Sequence, residues 1–370
     1  MTFLREVKNA VSPRAAFLVI GVLALQLLFI ASYVGALHDP KPKDVPFGVV
    51  APQQQSAQLV RQLDALPGDP LDPRAVADEA AARQQVLDRD IDGALVVDPR
   101  GRKDTLLVAS GGGTLLATTL GTLTERLEDA QGRTVRTVDV APASPQDFDG
   151  LSAFYLVVGW CVGGYLCASI LAISAGSRAA NGQRAVIRLG TMALYAVLGG
   201  LGGAVIVGPV LGALPGSVVG LWGLGALIVF GVGALTLALQ ALTGIVGIGL
   251  AVLIVVIAGN PSAGGAFPHA MLPPFWQAIG PWLQPGAGTW AARSIAYFGG
   301  RDMATSLWVL AAWAVAGVAV TLLMSARRGS GARTPATGSG APAAGSDAPA
   351  AGAARSDGGS TRADGGAAPR

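Results

Sequence analysis

The sequence predicts a polytopic α-helical membrane protein with six transmembrane helices and a small α/β extracytoplasmic domain between helices 1 and 2. Three observations support this fold class. Hydrophobic residues make up 51% and charged residues 13% of the 370-residue chain, and the mean hydropathy is +0.51, which lies outside the range of soluble domains. No Asp, Glu, Lys or Arg occurs between Arg188 and Arg293. Apolar runs recur at lengths close to the thickness of a bilayer core.

The first apolar run, residues 15–37, is predicted to be an uncleaved transmembrane helix. Arg5, Lys8 and Arg14 precede it, which favours a cytoplasmic N-terminus over residues 1–14. A cleaved signal peptide is the competing interpretation, but its apolar region has roughly 7 to 15 residues. The longer run here therefore favours an anchor.

Residues 38–150 contain most of the acidic side chains and are long enough to fold as a separate extracytoplasmic α/β domain. Short apolar runs bounded by Gly, Pro and Asp are typical of buried strands. They alternate with amphipathic segments that favour helices. The predicted strands cover 45–52, 92–99, 104–110 and 134–142, and the predicted helices cover 53–66, 78–90 and 113–132.

Five further spans are predicted in the domain 151–325, and the positive-inside rule orients them. The basic side chains between spans two and three, and those after the last span, then lie in the cytoplasm. Residues 326–370 are predicted to form a disordered cytoplasmic tail because Gly, Ala, Ser and Pro cannot bury enough apolar surface. The five spans are 151–174, 189–211, 217–239, 242–258 and 304–325.

The predicted cytoplasmic loop, residues 174–190, contains Arg178, Arg184 and Arg188. It is interpreted either as an ordinary positive-inside loop or as a short basic helix that docks a separate ATPase. The sequence leaves these two interpretations open.

The segment 260–303 is too long for a tight turn and is predicted to form a re-entrant or interfacial pair of short helices that covers the outer end of the bundle. Two prolines can start the first helix, and the second is placed at about 288–298. Tryptophan at this density is typical of the headgroup level. A plain interfacial loop is the alternative. The candidate lid residues are Asn260, Pro261, Gly264, Gly265, Pro273, Pro274, Phe275, Trp276 and Trp282.

Several motifs are interpreted as structural. The stretch DRDIDG at 88–93 resembles the start of a calcium loop, but Pro99 occupies the position of the bidentate Glu, so a helix-to-strand turn is favoured. SGGGTLLATT from Ser110 lacks the Gly-Lys-Ser/Thr of a phosphate loop and is interpreted as a helix start. His269 is predicted to be a hydrogen-bonded surface residue. The two cysteines indicate neither a disulfide nor a metal site.

No nucleotide-binding signature and no nucleophile–base set occurs, so no catalytic residue, cofactor or metal is predicted and the chain is not expected to be an enzyme. The basic residues are scattered, which argues against nucleic acid as a partner. No Asp, Glu, His, Lys or Arg occurs within the predicted spans, which argues against a proton relay. Membrane lipids are the expected surroundings.

Three stretches resemble a known family: LSAFYLVVGWCVGGYL, GNPSAGGAFPHAMLP and PGAGTWAARSIAYFGG. They are similar to the YhgE/Pip (phage infection protein) group of bacterial membrane proteins, which is related to type-2 ABC exporter permeases. The order of anchor, ectodomain and five spans agrees with that group, although this ectodomain is shorter than in its long members. The resemblance implies a location in the bacterial cell membrane and an ATPase on a separate chain.

The leading hypothesis is a permease-like subunit, homodimeric or heterodimeric, that exports a hydrophobic or amphipathic compound with a separate nucleotide-binding ATPase. The alternative is an envelope scaffold, secretion-accessory protein or surface receptor whose ectodomain binds an extracellular partner.

Overall fold

A computed structural model describes residues 13–331, apart from the side chains of Arg14 and of residues 329–331. The predicted tail beyond residue 331 and most of the predicted cytoplasmic N-terminus lie outside the described residues. The elements follow in the order α1 (Pro13–Leu37), β1 (Val45–Val50), α2 (Gln53–Asp64), β2 (Leu71–Ala75), α3 (Glu79–Asp88), β3 (Gly93–Val96), β4 (Lys103–Val108), α4 (Thr114–Ala130), β5 (Thr134–Asp139), α5 (Ser152–Ala175), α6 (Gly182–Val205), α7 (Val218–Thr243), α8 (Val246–Val252), α9 (Pro274–Ile279), α10 (Gln284–Tyr297) and α11 (Ala304–Gly331).

Five helices in the described range are long and apolar enough to cross a membrane: α1, α5, α6, α7 and α11. This agrees with the predicted multi-pass helical architecture. The central helix is α7, which packs against α5, α6, α8, α10 and α11. Its long run of glycine, alanine and branched apolar residues fits a helix that is buried on most of its surface,.

The fifth predicted span, 242–258, is not a full-length helix. The apolar helix here runs only from Val246 to Gly259, and its second half, Leu253–Gly259, is a π-helical turn. Fourteen residues rise about 21 Å, which is less than a bilayer core requires. In α1, the Ser32 hydroxyl donates to the Ile257 carbonyl within that turn.

The third predicted span begins earlier than residue 189. The Asn181 side chain accepts a hydrogen bond from the Arg184 N–H at 2.9 Å and so caps α6,. Residues 182–190 are therefore the first turns of α6 rather than a separate short helix. The last helix, α11, continues to Gly331, so residues 326–331 are helical rather than part of a disordered tail.

Residues 45–139 form an α/β module with a five-stranded sheet in the order β2-β1-β3-β4-β5. The β3–β4 pair is antiparallel and the other pairs are parallel. The predicted helices and four predicted strands are all present. The strand β2 was not predicted because Pro73 interrupts a polar run. Proline is tolerated there because β2 is an edge strand.

The module contains a buried ion cluster where β4 and β5 begin. The Arg133 guanidinium donates to both carboxylate oxygens of Asp104, at 2.5 and 2.6 Å, and lies 3.5 Å from Glu128. Burial and the neighbouring Asp104 raise the pKa of Glu128 to about 7. Burial favours a higher pKa for Asp104 as well, but hydrogen bonds from Arg133 and from the Asp98 N–H lower it below its usual value.

Glu128→Gln is expected to make the module less sensitive to pH. A carboxyl whose folded pKa is raised contributes stability below its unfolded pKa, and this contribution is lost as pH rises through about 7,. The variant and the wild type should therefore unfold at similar temperatures at pH 5, and the variant at the higher temperature at pH 8. Glu125→Gln, on the exposed side of the same helix, is the control. Equal differences for both variants would contradict the prediction.

Candidate functional site

The segment 260–303 folds back into the bundle. We name the two ends of the bundle by their residues: the loop end contains residues 176–181 and 244–245, and the module end contains residues 150–151 and 211–217. Between α7 and Gly264 the chain passes from the loop end to the module end. It then turns back into the bundle through α9 and the helical turn that follows it, Gly280–Trp282. In that turn the Trp282 carbonyl accepts a hydrogen bond from the Trp313 indole of α11 at 2.9 Å. It returns through α10, which is almost wholly buried.

The segment also enters the core of the α/β module. Met271 is 4% exposed and belongs to the same apolar cluster as Phe47 and Leu106 of the sheet, with Phe267 packed against it. The Lys43 N–H donates to the Ala270 carbonyl at 2.9 Å. Module and bundle are thus joined by shared packing as well as by the two covalent connections.

The glycine-rich loop Ser110–Gly112 lies against the same segment. An added Cβ at Gly111 would lie 2.5 Å from the Tyr297 ring, and one at Gly113 would lie 2.5 Å from Pro268. The Tyr297 hydroxyl donates to Asp147 at 2.5 Å. The loop starts a helix, as its sequence predicted. It also packs against the segment 260–303 so closely that only small residues fit.

Arg293, in α10, is buried at 4% exposure and binds backbone carbonyls from two separate parts of the chain. It donates to Gly264 at 2.7 Å, to Gly265 at 2.9 Å and to Gly150 at 3.2 Å. No carboxylate in residues 13–331 lies within ion-pair distance of it, and its Nε has no hydrogen-bond partner there. The turn at Gly264 and Gly265 and the residue Gly150, which lies just before α5, are thus held by one guanidinium.

Arg89 links the module to α10 from the other side. It follows α3 with a positive φ of 66°, and its Nη1 donates to the Trp290 carbonyl at 3.0 Å and to the Ser294 hydroxyl at 2.7 Å. Its guanidinium carbon lies 3.3 Å from the centre of the Trp290 ring and 4.8 Å from that of Phe298. This geometry is a cation–π contact, which fixes α3 relative to α10.

A cavity of about 500 Å³ lies between the module and the folded-back segment. We call it the junction cavity. Its inner wall carries Arg89, Asp92, His269, Trp290 and Arg293, and exposed Asp44, Asp302 and Thr305 stand at its rim. Its apolar wall is formed by Pro46, Ile91, Leu116, Ala117, Pro268 and Ala270. The volume falls in the range of small-molecule sites.

Burial shifts the pKa values of the ionisable side chains in the junction cavity. Burial, and then the charge of Arg293, lower the pKa of Arg89 to about 9, so it stays protonated at neutral pH. Burial raises the pKa of Asp92 to about 6, although Arg89 opposes this. Burial and the two arginines lower the pKa of His269 to about 4. At pH 7 the inner wall therefore carries two cations, one carboxylate and a neutral imidazole.

The candidate lid residues divide into two groups. Gly264 lines the junction cavity and Gly265 lies next to it, whereas Asn260 and Pro261 are buried beside α1. The others belong to α9 and its flanks, where Phe275 and Trp282 are 64% and 65% exposed. Two helices occupy the predicted positions, and the second begins at Gln284 rather than near Gly288. The Nε2–H of His269 donates a 3.2 Å hydrogen bond to the Ser262 carbonyl, but the side chain lies in the cavity wall rather than on the surface.

The three candidate ATPase-docking arginines lie at the loop end but differ in exposure. Arg188 is buried and donates to the last carbonyls of α5, Ala175 at 2.8 Å and Gly176 at 2.7 Å. This satisfies a helix C-terminus. Arg178 donates to Leu242 at 3.3 Å yet remains exposed, as does Arg184. Only Arg178 and Arg184 therefore present charge at the surface.

Four residues of the junction cavity were not predicted from the sequence: Arg89, Asp92, Trp290 and Arg293. Arg89 and Asp92 belong to the stretch DRDIDG, which is the helix-to-strand turn that was favoured over a calcium loop. Trp290 and Arg293 are spaced i, i+3 on one helix, so they share a face. A charged residue next to a tryptophan at the end of a long uncharged region is the signal that could have indicated α10.

Comparison of the chain with protein-family models, with curated proteins and with solved structures finds no match.

Proposed function

We propose that the protein is a permease-like subunit of an export system of the type-2 ABC kind. It moves a hydrophobic or amphipathic compound across the bacterial cell membrane with an ATPase on a separate chain. The observation that carries this proposal is the segment 260–303, which enters both the bundle and the module core and lines the junction cavity. A movement of the bundle would therefore change the cavity. The resemblance to the YhgE/Pip group supports the same role.

The proposed orientation places the module and the junction cavity outside the cell and both termini in the cytoplasm. The exposed Arg178 and Arg184, together with Arg327 and Arg328 of α11, then satisfy the positive-inside rule. A dimer, of two copies or with a related chain, is part of the proposal.

A scaffold or receptor role is the second candidate, because the packing of Met271 in the module core would transmit a binding event on the module to the bundle. Deleting the module would not separate the two roles, since the deletion exposes Met271 and removes the Asp147 partner of Tyr297. Point variants at the loop end are the cleaner test.

Arg184→Glu is expected to reduce copurification of a nucleotide-hydrolysing ATPase in mild detergent several-fold, and with it export or drug tolerance. Arg184 makes an exposed charge at the loop end, so the change should leave the unfolding temperature unaltered. Arg126→Glu, an exposed arginine of the module, is the matched control. Repeated purification of the wild type without an ATPase, together with no export phenotype on deletion, would contradict the transport proposal. A phenotype that responds only to variants of the module surface would favour the receptor.

A further inference from the structure

The junction cavity offers hydrogen-bond donors that the protein does not use. Arg89 forms its hydrogen bonds through Nη1 alone, so Nη2 and Nε have no partner among the described residues. The buried Nε of Arg293 is also without an acceptor in that range. Unsatisfied donors of a buried arginine are costly, and an anionic oxygen is the acceptor that matches a guanidinium best.

The acids of the junction cavity form no ion pair with Arg89 or Arg293 among residues 13–331, although the charges of Asp92 and Asp302 act on Arg89. Asp302 accepts from the Trp290 indole at 3.2 Å and stands at the exposed rim, as does Asp44. With Arg89 and Arg293 protonated and Asp92 ionised at pH 7, the inner wall carries one net positive charge.

The junction cavity also has an apolar lining, made of Ile91, Leu116 and Ala117 of the module and of Pro268 and Ala270 of the folded-back segment. Burying apolar ligand surface against these residues would favour binding.

We propose that the junction cavity binds a small amphipathic organic anion, with a carboxylate or phosphate on Arg89 and Arg293 and an aliphatic or aromatic body against Leu116 and Ala117. The inference rests on the proposed function in one respect, namely that this ligand is the exported compound. The binding site itself requires only the geometry of the cavity.

Octanoate is a suitable probe because it combines one carboxylate with a short apolar chain. We expect saturable binding, with one octanoate per chain, by equilibrium dialysis at pH 7 against the protein in phosphatidylcholine nanodiscs, after subtraction of empty nanodiscs. Octylammonium, with the same chain and the opposite charge, should not bind above the empty-disc background. Octylammonium that binds as tightly as octanoate would overturn the proposal.

Ala117→Trp fills the apolar side of the junction cavity without touching its charges, and we expect it to weaken octanoate binding at least tenfold. Leu115→Trp is the matched control, because Leu115 is an exposed neighbour on α4 that does not line the cavity. It should bind as the wild type does. Equal affinities of wild type and Ala117→Trp would overturn the proposal. If Ala117→Trp fails to fold, Ala117→Leu makes the same test.

Arg89→Lys keeps the charge but loses the planar pair of donors, and we expect octanoate binding to fall at least fivefold. Ser294→Ala removes one of the two hydrogen-bond partners of Arg89 in α10 and leaves the charge of Arg89, so binding should be retained. Loss in Ser294→Ala with retention in Arg89→Lys would contradict an anion contact and assign Arg89 to docking alone.

A second set of nanodiscs identifies the source of the anion. If phosphatidylglycerol displaces octanoate from the wild type and stays bound in native mass spectrometry, the occupant is a lipid headgroup. If it does neither, the ligand is a soluble anion. Because these measurements involve no ATPase and no export, octanoate binding without transport would overturn only the proposed function, and transport without octanoate binding only this inference.

Discussion

Gly280→Ala is expected to destabilise the protein by overpacking the folded-back segment. A Cβ at this position would overlap the Ser262 carbonyl and lie 3.0 Å from Nε2 of His269. Both contacts belong to the turn that holds the wall of the junction cavity, and a backbone oxygen cannot move aside as a flexible side chain can. Overpacking of this kind costs about 1–3 kcal/mol. The measurement is the apparent unfolding temperature in detergent, together with octanoate binding.

Gly223→Ala is the control for this prediction. Gly223 lies on α7, and an added Cβ there would have no neighbour within 4 Å. Alanine is preferred to glycine in a helix interior by about 1 kcal/mol, so the control should unfold at the same temperature as the wild type or higher. If both variants behave alike, the close approach of residues 280 and 262 is absent in solution.

Much of the fold was predictable because its signals are local. Long apolar runs give α1, α5, α7 and α11, and alternation with turn residues gives four of the five strands. The fifth predicted span forms a shorter helix than expected, Val246–Gly259. One carbonyl of its π-helical turn accepts a hydrogen bond from Ser32, which is 225 residues away in sequence. Hydropathy registers only that the run is apolar and gives no information on where the helix ends.

The candidate site was less predictable, since it is made of contacts between distant parts of the chain. Arg89 and Trp290 are separated by 201 residues, and each has an ordinary interpretation on its own, as a charged turn residue and as an interfacial aromatic. The two short helices of the segment 260–303 were predicted because turn and helix-start signals are local. No sequence pattern indicated that Met271 of this segment packs into the core of the module.

Arg293→Met is expected to be strongly destabilising, although it replaces a charged residue with an apolar one inside the bundle. The variant leaves the carbonyls of Gly264, Gly265 and Gly150 without their donor. Each buried acceptor left unpaired costs about 1–3 kcal/mol, and methionine recovers only packing. We expect a lower unfolding temperature, faster hydrogen exchange in residues 264–270 and loss of octanoate binding. Arg293→Lys should be intermediate, because an ammonium reaches fewer of the three carbonyls.

Arg301→Met provides the contrast, because this arginine forms an ion pair with Asp88 in a nearby part of the structure. Its Nε lies 3.4 Å from the carboxylate, and the side chains are 46% and 38% exposed. Exposed pairs contribute about 0–1 kcal/mol, so this variant should unfold within a few degrees of the wild type. The buried guanidinium on neutral carbonyls is thus expected to matter more than the exposed one on a carboxylate. If Arg301→Met were the more destabilising variant, Arg293 would not hold the turn at Gly264 and Gly265 to Gly150.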